Sequence, residues 1–210
     1  MRAVALVRRA NDVVAARLAT RLGDSVALAA APDSVEVRAL LSGCGAGRAI
    51  RLWDDALDGV DYLGVALALA GAVRALGAID VVVCADGGSG AVGPALAERL
   101  GWPHLGRVLD AWMENDRLLA RRRGATGLTK LAVAPPAVLC VAEEAPAAAT
   151  GGSLVIEPWT LADASLTAAE LTYRRSFRPR PVEGPTQKPR QFGDVAALLA
   201  RLRADGLVRG

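Results

Sequence analysis

The residues best suited to do chemistry lie between 80 and 103, in the run DVVVCADGGSGAVGPALAERLGWP. Gly88, Gly90 and Gly93 stand there at G-x-G-x-x-G spacing, and Gly87 to Ala91 come within one residue of G-x-S-x-G. The first spacing belongs to dinucleotide-binding turns and the second to serine nucleophiles on a strand-to-helix elbow. A dinucleotide fingerprint follows the first strand of a six-strand fold, whereas this bend follows the fourth strand-like segment. A serine hydrolase of this type needs a histidine late in the chain, and His104, fifteen residues after Ser89, is the only histidine. What remains is the property shared by glycine bends before a helix: bare amides and the positive end of the helix converge on an anion. Amides from Gly87 to Gly93 and the Ser89 hydroxyl are therefore expected to cradle a phosphate, with Pro94 expected at the first helical position, where no amide hydrogen is needed. The competing reading is a turn that uses glycine only for its backbone angles.

The elements that must position this bend follow from hydrophobic period. Arg2–Val7 reads as a short buried strand, 12–22 as a helix through Val14, Leu18 and Leu22, and 25–30 as a second strand. Asp33 with Glu36 three residues on resembles a capping box opening a helix to about Ser42. GRAIRLW gives the third strand, Asp54, Asp55 and Asp58 fall in the loop behind it, and 61–76 is a helix apolar on most faces, hence one covered on more than one side. AIDVVVCA is the fourth strand. Strands that are continuous apolar runs, alternating with helices, predict an α/β fold with a mainly parallel sheet covered on both faces. Beyond Gly101, RVLDAWMEN, RLLARRRG and LTKLAVAP read as hairpin-like strands and PAVLCVA as another buried one. EEAPAAATGGS is a small-residue linker. An extended arm follows, and a last helix at 194–204 carries Leu198, Leu199 and Leu202 on one face and is expected to dock. The expected division is a nucleotide-binding domain over 1–145 and a carboxy-terminal arm and docking helix over 146–210.

Composition narrows the function classes. With 210 residues, 52% of them hydrophobic, the chain is expected to form one domain or one domain with an appendage. The longest uncharged apolar stretch, 62–73, is too short to span a bilayer, and MRAVALVRR has too short an apolar core for a secretory signal, so no membrane insertion and a cytoplasmic location are expected. Cys44, Cys84 and Cys140 are odd in number and never in a C-x-x-C pair, which argues against a disulfide framework or a zinc site and for small buried hydrophobes. The formal net charge is only +3, but 174–190 holds six basic residues against the single acid Glu183, interleaved with four prolines. Prolines at that density exclude a helix. Neither this run nor Arg121–Arg123 shows a nucleic-acid module signature, so a protein-facing or solvated strip is the better reading.

In their order, these segments resemble the β subunit of electron-transfer flavoproteins. The likeness is carried by GAGRAIRLWDDALDGVDYLGVALALAGAVRALGAIDVVVCADGGSGAVGPALAERLGWPHLGRV at 45–108, and by RRRGATGLTKLAVAPPAVLCV and LTAAELTYRRSFRPRPVEG further on. The resemblance implies a Rossmann-like, three-layer domain that binds an adenine nucleotide, with an antiparallel hairpin and an extended carboxy-terminal arm ending in a helix. It implies AMP, or a second FAD, as cofactor, and a heterodimer with an α subunit that holds most of a redox-active FAD. Flavin dehydrogenases would be transient donors. Carried over by position, Asp86, Gly87, Gly88, Ser89, Gly90, Ala91, Val92 and Gly93 would form the nucleotide loop. Leu6 and Ala30 would line the adenine pocket and Asn11 would stand for a family asparagine. Arg174, Arg175 and Arg178 would wrap the α subunit, and no residue would be catalytic.

The departures from the family pattern are local. Its long loop after the first strand, with a flavin-facing aromatic, is replaced by VRRANDVVAARLATRL, which passes almost directly into a helix. Ala91 replaces the usual glutamine, and the segment expected to recognise dehydrogenases, PAAATGGSLVIEPWT, looks shortened. An alternative class is a non-redox adenine-nucleotide sensor of universal-stress-protein type, with the same architecture. Nucleic-acid binding through the arm is a third, and it would demand steep salt dependence.

Overall fold

The computed structural model describes residues 1–85, 90–124, 127–142, 154–171 and 194–207. The chain divides into two compact units, Met1–Arg174 and Arg175–Gly210. In the first, β1 (Arg2–Leu6) leads through a 3-10 turn at Ala10–Asp12 to α1 (Val13–Leu22), followed by β2 (Asp24–Ala30), α2 (Val35–Gly43) and β3 (Arg48–Leu52). A second 3-10 turn at Asp55–Leu57 precedes α3 (Tyr62–Ala75), β4 (Val81–Ala85) and α4 (Val92–Leu100). Next come β5 (His104–Glu114), β6 (Arg117–Gly124), β7 (Gly127–Val133), β8 (Ala137–Val141), β9 (Ile156–Trp159) and the short α5 (Ala168–Leu171).

All nine strands form one sheet in the order β7-β6-β5-β8-β4-β1-β2-β3-β9. From β5 to β9 each neighbouring pair is parallel, and only β5–β6 and β6–β7 are antiparallel. The alternation of side chains along each strand builds two cores. Val4, Leu6, Val26, Leu28, Ile50, Val82, Cys84 and Cys140 face α3 and α4, while Ala3, Ala5, Val7, Ala27, Ala29, Val81 and Val83 face α1. The fold is thus a three-layer, Rossmann-like α/β domain, as expected. α3 is apolar on most faces because Leu161, Ala164 and Leu171 join its core from the side away from the strands.

Several sequence expectations shift in detail. α2 is capped by Ser34, whose Oγ accepts from the Val37 amide at 3.2 Å; Asp33 instead accepts from Arg38 Nε at 2.7 Å. A Ser directly before the helix outcompetes the acid one residue earlier because its oxygen already lies at N-cap reach. Pro94 occupies the third helical position, since the helix starts at Val92, where a proline still has no intrahelical bond to lose. β9 had no counterpart in the sequence reading. It pairs in parallel with β3, aligning Ala49 with Ile156 and Leu52 with Trp159, so the first unit continues past residue 145. Arg48 clamps this edge, with Nε and Nη2 each 2.5 Å from a Glu157 carboxylate oxygen and its guanidinium 5.8 Å from the Trp159 ring centroid. The expected linker at 143–153 lies outside the described residues. In the second unit, α6 (Val195–Ala204) is capped by Asp194, which accepts from the Ala197 amide at 2.7 Å.

No described helix is long and apolar enough to cross a membrane.

Candidate functional site

The strand order sets where a ligand can lie. The chain lays β1, β2 and β3 outward in one direction, then returns across to place β4 on the other side of β1. At that reversal β1 and β4 are neighbours, and it is beyond the carboxyl ends of the strands at such a point that open parallel sheets hold ligands. Leu6, Ala30 and Ala85 are the last residues of β1, β2 and β4. Leu6 is buried and Ala30 is half-buried.

On the β4 side the described part of the bend begins at Gly90, whose φ of 61° lies in the left-handed region that glycine adopts without strain. Ala91 is the N-cap of α4 and contributes no side-chain cap. A helix start without a capping oxygen leaves its first amides to be satisfied by something else, and the positive end of the helix favours an anion there. Gly93, the second residue of α4, permits close packing. A Cβ at this position would lie 2.2 Å from Cys140 Sγ and 2.9 Å from Cys84 Sγ, so the start of α4 rests directly on β4 and β8. Asp86, Gly87, Gly88 and Ser89 lie outside the described residues, as do Arg174, Arg175 and Arg178.

On the β1 side the structure adds a feature absent from the sequence reading. Asp12 is buried at 4% exposure, and its Oδ2 accepts the amide hydrogens of Arg8 at 2.6 Å and Arg9 at 2.8 Å. Asp12 is the third residue of the 3-10 turn, and its carboxylate reaches back to the amides before it as the acid of a capping box does. The Arg8 and Arg9 amides after β1 are thereby occupied by the protein's own side chain. Asn11, expected to act at this rim, is exposed in the 3-10 turn.

A second group assembled only by the fold lies under α4. Cys84 and Cys140 are register partners on β4 and β8, with sulfurs 3.1 Å apart, and His104 Nε2 lies 3.1 Å from Cys140 Sγ. Cys140 beside it, together with burial, pushes the Cys84 thiol well above its ordinary value. Cys44 is also buried but sits in the other core, donating to the Leu41 carbonyl at 2.9 Å. All three cysteines are buried, as expected.

With the geometry in place, comparison with known proteins is decisive at the family level. The family model described as electron transfer flavoprotein domain matches residues 9–164. The chain belongs to the electron transfer flavoprotein domain family. It is similar to the electron transfer flavoprotein subunit beta of Mycobacterium bovis and of Mycobacterium tuberculosis, each 31% identical over 128 residues, covering 58% of this chain and 48% of the relative. The Mycobacterium leprae subunit beta is 30% identical over 128 residues. The chain spans about half the length of the curated relatives it matches.

Proposed function

We infer that this chain is the β-type subunit of a heterodimeric electron-transfer flavoprotein, holding AMP or a second FAD while an α subunit holds most of a redox-active flavin. The observation that carries this reading is the uncapped amino-terminal turn of α4, opened by Gly90 at the β1–β4 reversal, in a chain of the electron transfer flavoprotein domain family. The bound flavin would supply the redox chemistry. The residues here bind and pack: Gly90–Gly93, with Asp86–Ser89 before them, would hold the phosphate through main-chain amides. Each charge-assisted bond to it would contribute about 1.5–3 kcal/mol. Leu6 and Ala30 would border the adenine. Arg174, Arg175 and Arg178 would lie against the α subunit, and dehydrogenases would deliver electrons to the assembled pair.

One observation favours a second reading, a non-redox adenine-nucleotide sensor. The turn after β1 is short, carries no aromatic side chain, and is tied to Asp12, which leaves little at that rim to meet a flavin. The test is to purify the chain alone and co-expressed with a flavoprotein α subunit, denature each preparation, and identify the small molecules released by chromatography and mass. Release of AMP or FAD from a stable co-purified pair is the expected result. Adenine nucleotide from the chain alone, with indifference to any α subunit, would select the sensor. A colourless protein that yields no nucleotide in either preparation would refute both.

A further inference from the structure

We propose that Cys84 and Cys140 form a reversible disulfide across β4 and β8, with His104 taking the proton of Cys140, so that the chain carries a peroxide-responsive thiol pair. This goes beyond nucleotide holding and stands on geometry. The two residues are aligned on adjacent parallel strands, and their side chains fall on one face of the sheet. Neighbouring strands lie about 4.8 Å apart, inside the roughly 4.4–6.8 Å between Cα atoms that a disulfide spans. The sulfurs are already 3.1 Å apart, so bond formation at about 2.05 Å asks for a closure of only about 1 Å.

The three groups have distinct parts. His104, exposed at the start of β5, touches Cys140 and places the buried sulfur one side chain away from solvent. Cys84, enclosed and holding its proton firmly, lies on the other side of Cys140 as the resolving thiol. With hydrogen peroxide as oxidant, His104 Nε2 takes the Cys140 proton and the thiolate attacks one peroxide oxygen. The O–O bond breaks, a sulfenic acid forms on Cys140, and the departing hydroxide takes the proton back from His104 as water. Cys84 sulfur then attacks the sulfenic sulfur, the S–O bond breaks, and that hydroxyl leaves as a second water with the Cys84 proton. Two thiols and one peroxide give one disulfide and two waters. A small-molecule dithiol returns the pair to the reduced form by thiol–disulfide exchange.

The experiment uses the full chain without substitution. Reduced protein is exposed to a few equivalents of hydrogen peroxide, denatured in an alkylating reagent, and examined by intact mass and by peptide mapping, before and after dithiothreitol. The expected result is a chain about 2 Da lighter than the reduced form before alkylation, which then takes up one alkyl group rather than three, one linked peptide pair joining Cys84 to Cys140 with Cys44 alkylated, and full reversal by the dithiol. His104→Ala should form the same bond at least about tenfold more slowly near neutral pH, because it lacks the general base. Three alkylated thiols after peroxide, over-oxidation of Cys140 with Cys84 still alkylated, or a bond involving Cys44 would each overturn the thiol pair. An unchanged rate in His104→Ala would overturn the role of the histidine. Because none of these readouts depends on bound nucleotide or on an α subunit, they separate this proposal from the functional reading above.

Discussion

A methyl group added at Gly93 would sit 2.2 Å from Cys140 Sγ and 2.9 Å from Cys84 Sγ. Contacts under 3.0 Å are not tolerated, and both sulfurs belong to central strands flanked by other strands, so the first turn of α4 has to lift by about 1 Å or more. Overpacking of this kind costs about 1–3 kcal/mol, while alanine in place of glycine in a helix returns about 0.5–1 kcal/mol. A contact as short as 2.2 Å puts the cost in the upper half of that range, so the net expectation for Gly93→Ala is a loss of about 1–2.5 kcal/mol, or a fall in Tm of about 2–10 °C for a chain of this size. The assay is thermal and urea unfolding of the wild type, Gly93→Ala, Cys140→Ala and the double variant. Cys140→Ala removes the nearer sulfur, so the double variant should recover about 1 kcal/mol relative to the sum of the single changes. The packing argument is refuted by a Gly93→Ala protein within about 0.5 kcal/mol of wild type, or by strict additivity with Cys140→Ala.

Three further outcomes are expected. Gly90→Asp should expel bound nucleotide, whereas Gly90→Ala, which shares the strain of a side chain at φ 61° but adds no charge, should retain more of it; chromatography of the released nucleotide compares the two. Asp12→Ala removes the acceptor of two part-buried amide hydrogens and should cost about 1–2 kcal/mol, with hydrogen exchange at Arg8 and Arg9 rising before that of β1. The third concerns pH: hydrogen bonding to Arg48 holds the Glu157 carboxyl below its ordinary value of 4.5. A carboxyl depressed in the folded state stabilises above its unfolded pKa and loses that contribution as pH falls through the folded value. Both partners are more than a third exposed, so solvent screening keeps the effect to within about 1 kcal/mol. Protection of the Glu157 and Trp159 amides, taken relative to their intrinsic exchange rates, should therefore fall as pH drops below 4.5, and Glu157→Gln should abolish that pH dependence.

The alternation of apolar runs and helical spacing was written locally, and so it determined the layers before any coordinates. Strands such as VVVCA are buried on both faces and need no alternation, which reads as a parallel sheet, and Asp61 before a long apolar run caps α3 as its type demands, accepting from the Leu63 and Gly64 amides. The glycines of the bend likewise announced the break between β4 and α4. Tertiary structure decided what depends on register and on distant chain. β9 is short, only partly buried and broken by Pro158, so its pairing with β3 comes from an open sheet edge and the Arg48–Glu157 contact rather than from its own pattern. Asp12 looks like an ordinary helix-opening acid until its carboxylate turns back to Arg8 and Arg9. Cys84, His104 and Cys140 stand far apart along the chain, and only the parallel alignment of β4, β8 and β5 brings their reactive atoms within 3.1 Å, because strand pairing joins residues by register and not by sequence distance.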